Sequence, residues 1–351
     1  LDRTTLDEHV AQAKPVQSAD FSNWDLRGAD LSATLFEQCR FDGATLDGSD
    51  LGDSQFVKCS FERTSMIRAI AHSTAFYECR LLQSSLRQSR LSNTTWYKCE
   101  IRDLALDDAT LDFVTFSRGS LESLAFRGAS VDKLIVADAG LGPLDFSSAV
   151  LKECVFHECD LTQALFSDCS LFKVIFVKAN LSNLSFAGQR LEHVQFTEAI
   201  LAHCNFSNSV LLQANFTKSN LNRANFHNAK ASQCLFIGAN LSAVDFSDAD
   251  LRQSLFVGAL AESVRFSGAN LQQANFMEAR LAKAKLCDCE LTYADFSNAD
   301  LTAADLSGSS LFRTNLHGTK LHGTIVLDRS GALGDDEYRL ASERWTPHPK
   351  L

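Results

Sequence analysis

The side chains best suited to chemistry in this 351-residue chain are eleven cysteines and nine histidines. Closely spaced thiols can hold a soft metal, exchange disulfides or attack as nucleophiles beside a histidine. Cys39, Cys59, Cys79 and Cys99 lie twenty residues apart, and His157-Glu158-Cys159-Asp160 has the composition of a nucleophilic site. His317 and His322 are five apart. Charge is segregated as well. Residues 20–53 carry eight acids against Arg27 and Arg40, residues 58–98 carry seven bases against Glu62 and Glu78, and residues 100–145 carry nine acids against four bases. Bands of alternating sign steer and register a protein partner. Which of these uses is open depends on the element that carries each residue.

That element repeats every five residues. Stepping from Phe21 through Leu26, Leu31, Phe36 and Phe41 to Val326 gives 62 positions, and apart from Ala71, Ala231 and Ala261 each is Leu, Phe, Met, Ile, Val or Trp. Of 26 phenylalanines only Phe113, Phe172 and Phe312 leave this phase. Neither a helix at 3.6 residues per turn nor a flat strand at 2.0 returns one face every five residues over such a length. A chain that turns a corner every five residues does. Two before each large residue stands a small one, as in Ala29-Asp30-Leu31 and Ala299-Asp300-Leu301, so both point inward while the residue between points out. From Leu141 to Phe276 the large positions alternate Leu-type and Phe, with Ala at 231 and 261. With twenty residues per coil, Phe146, Phe166 and Phe186 stack in one column and Phe156, Phe176 and Phe196 in the column opposite.

The phase reassigns the thiols. Ten cysteines, all but Cys287, occupy the inward small position and fill core, which favours a structural column at Cys39, Cys59, Cys79 and Cys99 over a metal or redox site. Many free thiols suit a reducing compartment, hence a bacterial cytoplasmic location. Cys159 is phased inward and His157 outward, so they diverge, and His317 and His322 read as surface residues. Cys287 is expected to face out. No G-x-S-x-G, H-E-x-x-H, P-loop or dinucleotide fingerprint is present. The expectation is a protein with no catalytic residues, no metal and no cofactor.

Ala-Asn-Leu-Ser-Asn at 179–183 and Ala-Asp-Leu-Thr-Ala at 299–303 match the pattern A(D/N)LXX, and over about residues 19–326 the sequence resembles the pentapeptide-repeat family. The resemblance implies an all-β fold, a right-handed quadrilateral parallel β-helix of about 15 coils, on the order of 70–75 Å long at parallel-strand spacing. Residues 1–18 and 327–351 are then expected to cap it. Thr4 or Thr5 opens a short helix ending near Pro15, and Asp335-Asp336-Glu337 opens another over Tyr338 to Arg344, stopped by Pro347.

A net charge of −10 disfavours direct nucleic-acid binding, and no stretch approaches eighteen apolar residues, which disfavours a membrane span. Leu1 to Val10 lacks signal-peptide features, and the absence of an initial Met suggests residues upstream. Irregularity marks where function is expected. Ile67, Ile70 and Leu82 add apolar residues outside the phase around Met66 to Leu82, where a face is expected to bulge or bind. Leu104, Leu124, Leu134 and Leu144 replace the small inward residue, with Gly140-Leu-Gly-Pro143 beside them, and predict a widened or kinked stretch. The charge bands converge on Arg63, Arg68, Arg80, Arg87, Arg90, Asp103, Asp107, Asp108 and Asp112 as a partner-binding surface. The partner expected is one bacterial protein: a toxin, a secretion component or, by resemblance to family members that mimic duplex DNA, gyrase or another topoisomerase. An adaptor or immunity role, a secreted effector and a homodimer formed through a terminus complete the expectations.

Overall fold

The computed structural model describes residues 2–326 and 328–343. They form a parallel β-solenoid with four walls per coil, divided into two compact units, Leu1–Leu181 and Ser182–Leu351. In the first unit every ladder is parallel and joins residues twenty apart: Phe36 lies beside Phe56, Phe56 beside Phe76 and Phe76 beside Trp96. We number the walls by their large inward residues. Wall 1 carries Phe36, Phe56, Phe76, Trp96, Phe116, Val136 and Phe156. Wall 2 carries Phe41, Phe61, Leu81, Ile101 and Leu121, wall 3 Leu46, Met66, Leu86, Leu106, Phe126 and Phe146, and wall 4 Leu51, Ala71, Leu91, Leu111, Val131 and Leu151. Wall 1 is an eight-stranded sheet from Val16–Gln17 to Val155–His157, while walls 4, 2 and 3 contain sheets of six, four and two strands. Regular strands stack as eight rungs on wall 1 of this unit, and bridges of the same twenty-residue offset recur in the second unit as far as Ile325.

The five-residue phase is the core. All its positions from Phe21 to Leu316 are buried except Leu141, which is half-buried. Phe146 stacks on Phe166 at 5.4 Å and Phe156 on Phe176 at 5.3 Å, and the two columns meet edge to face where Phe146 approaches Phe156 at 5.8 Å. The polar residue just before each large one has a specific task. Asp30 accepts the Ser32 backbone N–H at 3.0 Å, and Asn215 does the same for Thr217 at 2.9 Å. This local bond explains Asp or Asn in the repeat: either supplies the acceptor oxygen.

Two residues after most large ones the chain turns with positive φ, at Lys58 (54°), Arg63 (54°) and Arg68 (59°) among many others. Side chains with a Cβ disfavour this region. Here the corner N–H donates to a carbonyl on the next rung, Arg63 to Leu82 at 2.7 Å and Arg68 to Arg87 at 2.9 Å, and this repeated bonding holds the conformation. Ile70 causes no bulge, whereas beside Leu124 and Leu144 the surface opens into a cavity of about 270 Å³ that Pro143 and Leu165 also line. Ile70–His72 pairs in register with Arg90–Ser92, and the four leucines are buried. At Gly119 a Cβ would collide with the Cys99 carbonyl, so glycine continues the cysteine column where no side chain fits.

In the second unit single bridges join residues twenty apart on all four walls, from Ser185 beside Asn205 to Asp305 beside Ile325. Phe216, Phe236 and Phe256 stack at 5.0 and 4.9 Å.

The ends carry helices. In the first, α1 (Arg3–Ala11), the N-cap is Asp2 rather than Thr4 or Thr5: its carboxylate accepts the Thr5 N–H at 2.9 Å. The other, α2 (Glu337–Glu343), starts where Asp336 accepts the N–H groups of Tyr338 and Arg339 at 3.0 Å. The expected continuation to Arg344 and the stop at Pro347 lie outside the described residues. His317 corrects the expectation of a surface residue, because it is buried beneath this end. Its Nδ1 accepts the Asp336 N–H at 3.1 Å, which leaves Nε2 to donate to Glu343 at 3.3 Å.

Candidate protein-binding walls

Outward positions recur at the same height on each wall, so a charge on one rung lies beside the residue twenty later. The nine charged residues singled out in the sequence lie on walls 2, 3 and 4 of the first unit and on the corners between them. Arg80 is on wall 2, Arg87 and Asp107 on wall 3, Arg90 and Asp112 on wall 4. Arg63 and Asp103 share the corner between walls 2 and 3, and Arg68 and Asp108 the next corner.

Part of the charge banding is consumed within the molecule. Arg80 pairs with Glu100 at 3.0 Å, Arg87 with Asp107 at 3.0 Å, and Arg102 with Glu122 at 2.9 Å, each across one rung. Arg68 donates to Gln88 at 3.0 Å, and Arg63 lies 3.6 Å from Glu62. Basic and acidic bands adjoining at about residue 99 are thus a ladder of vertical pairs. Exposed pairs of this kind contribute roughly 0–1 kcal/mol each. Arg90, Asp103, Asp108 and Asp112 have no ion pair among the described residues. These four charges occupy neighbouring rungs from wall 2 round to wall 4.

Sequence reasoning missed the ladder partners Glu100, Gln88 and Glu122. Their signal was present in the offset of twenty between opposite charges, which becomes meaningful once the coil length is known. It also missed the outer surface of wall 1, where Tyr77 and Tyr97 sit 6.3 Å apart and the Arg118 guanidinium donates to the Tyr97 hydroxyl at 3.3 Å.

The cysteines perform core work. Cys59, Cys79 and Cys99 donate S–H to the carbonyls of Phe36, Phe56 and Phe76 at 3.2–3.3 Å, the bond that Thr74 makes to Leu51 at 2.8 Å. Burial pushes the Cys79 thiol up, and takes Cys154 and Cys204 to about 12, so these sulfurs stay protonated. Cys287, expected outside, is half-buried with its sulfur 3.8 Å from the Asp305 carbonyl. His157 is exposed while Cys159 is buried, so the two do not converge. Among the described residues no group of three or more His, Cys, Asp or Glu side chains is placed to hold a metal ion, and no helix is long and apolar enough to cross a membrane.

Family comparison agrees with this geometry. A pentapeptide repeat region profile matches residues 49–126 and 199–276, and a profile of eight pentapeptide repeats matches 17–53, 25–63, 145–188 and 289–325. The chain belongs to the pentapeptide-repeat family. Among solved structures, a pentapeptide-repeat protein of the Arabidopsis thaliana thylakoid lumen is 30% identical over 29% of this chain and 68% of its own, with a TM-score of 0.23. HetL, involved in heterocyst differentiation regulation in the cyanobacterium Nostoc, is 18% identical over 94% of this chain and 99% of its own, with a TM-score of 0.18. QnrB1, a plasmid-mediated fluoroquinolone resistance protein, is 18% identical over 48% of this chain and 96% of its own, with a TM-score of 0.23. No curated protein sequence matches significantly. In this pentapeptide-repeat protein the outward positions are the ones that vary from pentad to pentad.

Proposed function

We propose that this pentapeptide-repeat protein is a non-enzymatic scaffold that binds one bacterial protein through walls 2 to 4 of its first unit, as a secretion-linked adaptor or immunity protein that carries or neutralises a toxin. The observation that carries this reading is the set of four charges, Arg90, Asp103, Asp108 and Asp112, on neighbouring rungs and without ion pairs among the described residues. Charges held on a rigid wall and uncompensated by their neighbours are available to set the register of a partner of complementary sign. The ion-paired Arg80, Arg87 and Asp107 contribute shape more than charge.

A second reading is supported by the acidic first rungs. Asp20, Asp30, Asp50 and Asp53 are all exposed, with Arg40 3.6 Å from Asp20. Such a surface suits mimicry of duplex DNA toward gyrase or another topoisomerase. Affinity capture from bacterial lysate, with supercoiling assays alongside, separates the two. Capture of a toxin or secretion component with supercoiling unchanged supports the scaffold reading, and loss of that capture on Arg90→Glu and Asp108→Lys places the contact on these walls. Capture of gyrase subunits with inhibited supercoiling replaces it with mimicry. A protein recovered only outside the cell supports the effector alternative.

A further inference from the structure

The corner that follows wall 1 is charged after every large residue from Phe56 to Phe176: Lys58, Glu78, Lys98, Arg118, Asp138, Glu158 and Lys178. No other corner of this unit is. The wall beside it is a parallel sheet whose outward residues over the rungs of Phe76 to Phe156 include no Asp, Glu, Lys or Arg: Ala75, Thr95, Thr115, Ile135 and Val155 on one side, and Tyr77, Tyr97, Ser117, Ala137 and His157 on the other. Tyr77 and Ile135 are 37% and 41% exposed. Most corner charges have partners within the chain. Glu78 takes Lys58 at 3.8 Å and Lys98 at 3.7 Å, and Glu158 takes Lys178 at 3.2 Å. Arg118 and Asp138, adjacent and of opposite sign, are both exposed and have no ion pair among the described residues, Arg118 turning instead to Tyr97.

The geometry points to a second copy of this chain as the occupant of wall 1, docked face to face about a twofold axis parallel to the strands and midway between the rungs of Phe116 and Val136. Such an axis reverses the order of rungs and lays each edge of the sheet on the same edge of its partner. Arg118 then meets Asp138 of the second copy, Lys98 meets Glu158, and Glu78 meets Lys178. All three distinct pairs are of opposite sign, and symmetry makes each twice. Moving the axis by half a rung or one rung either way places at least one like pair together: Arg118 on Arg118, Lys98 on Arg118, Asp138 on Asp138, or Asp138 on Glu158. The charge order thus selects one register, and like-charge contacts oppose the others. On the opposite edge the same operation sets Phe113 against Lys133, Asn93 against Glu153 and Ser73 against Lys173, with no like pair. Across the sheet it sets Tyr77 against Val177, Ala75 against Ile175 and Thr115 against Ile135.

The contact is small. Six rungs at about 4.8 Å and a wall about 10–15 Å wide give roughly 300–400 Å² per copy, under half of a standard interface, so association is weak and requires high protein concentration. It is separate from the partner-binding proposal, because wall 1 carries none of the nine residues on walls 2 to 4.

Sedimentation equilibrium of the full chain at several hundred micromolar tests it. At low salt the weight-average mass is expected to rise from 38.6 kDa toward twice that value, and about 0.5 M salt, with a Debye length near 4 Å, to lower it again. Arg118→Glu and Asp138→Arg should each weaken association about tenfold or more, and the double exchange should restore it to within about threefold. Glu and Lys already occupy this corner at positive φ, at Glu78, Lys98 and Glu158, so the exchanged side chains suit the backbone. If either variant lost its native circular dichroism, exchanging Lys98 and Glu158 provides the same test on the neighbouring pair. A monomer at every concentration, a dimer indifferent to the single reversals, or a double exchange that fails to restore it would each overturn the proposal.

Discussion

The two units are built from the same pentad yet finish it differently. In the second, the residue three after each large one usually donates its N–H back and closes the turn, as Ala214 does to Leu211 at 2.8 Å and Ala304 to Leu301 at 2.9 Å. On wall 1 of the first unit this turn bond is missing after Phe36, Phe56 and Phe76, the backbone extends into three-residue strands, and a cysteine thiol one coil later bonds the released carbonyl. The side chain at the inward small position differs between the cases. Alanine closes the turn at 2.8–3.1 Å, whereas valine and threonine range from 3.1 Å at Val244 and Thr314 to 3.4 Å at Val194 and Val264. Cys, Thr, Val and Leu follow most strands of the first unit. Ala139 after the Ile135–Ala137 strand shows that pairing with neighbouring rungs also contributes. A larger inward residue thus accompanies the open strands of wall 1 without being sufficient for them, since Ser219, Val244 and Thr314 close the turn at 3.1 Å.

The strongest challenge to this comparison is to the feature both units share. Phe56→Asp in the first and Phe236→Asp in the second each place an unpaired charge among stacked rings, and each should cost about 4 kcal/mol or more and unfold its unit, read by circular dichroism and thermal melting. Native-like melting of either variant would break the common-core account. A smaller effect separates the units. Cys79→Ala removes the donor to Phe56 and leaves a void, costing about 1–2 kcal/mol in a denaturant melt, while Cys79→Ser keeps a donor and should cost about half as much. Ala224→Val in the second unit, where the turn bond is 2.8 Å, should cost about 1–2 kcal/mol and weaken amide protection at residue 224.

Acid tests the outward polar residue in both units. The Arg27 side chain holds Asp25 down to about 2, and the Ser307 hydroxyl holds Asp305 to about 2, in each case helped by the backbone N–H of the same residue. A carboxyl with a depressed folded-state pKa contributes stability above its unfolded value, near 3.9, and loses it as pH falls through the folded value. Stability should therefore hold down to about pH 4 and decline between about 4 and 2, and Asp305→Asn, which retains the acceptor, should flatten its share. A decline complete by pH 5 would contradict the bond. Smallest of all, Arg80→Ala should change stability by no more than about 0.5 kcal/mol, because its pair with Glu100 is exposed.

Much of this was legible in the sequence. A phase that holds from Phe21 to Val326 can be satisfied only by a chain that returns to its core every five residues, and the same phase moved ten cysteines from chemistry to packing. The phenylalanine columns followed from period ten. What stayed hidden depended on contacts between rungs. Arg87 and Asp107 appeared as members of opposing bands, although a coil of twenty makes them partners. His317 shares its phase with surface residues, and only the return of the chain at Asp336 and Glu343 buries it. Asp2 outcompeted Thr4 and Thr5 as the N-cap because the helix begins at Arg3, two or three residues earlier than either threonine would start it.

The central claim is that unpaired charges on walls 2 to 4 bind a protein. Parallel affinity capture from bacterial lysate with the natural chain and with the variant Arg90→Glu, Asp103→Lys, Asp108→Lys, Asp112→Lys tests it most directly, after circular dichroism has shown equal folding. The account predicts a salt-sensitive protein held by the natural chain and lost from the variant. Equal recovery by both, or recovery of no specific protein by either, would contradict it.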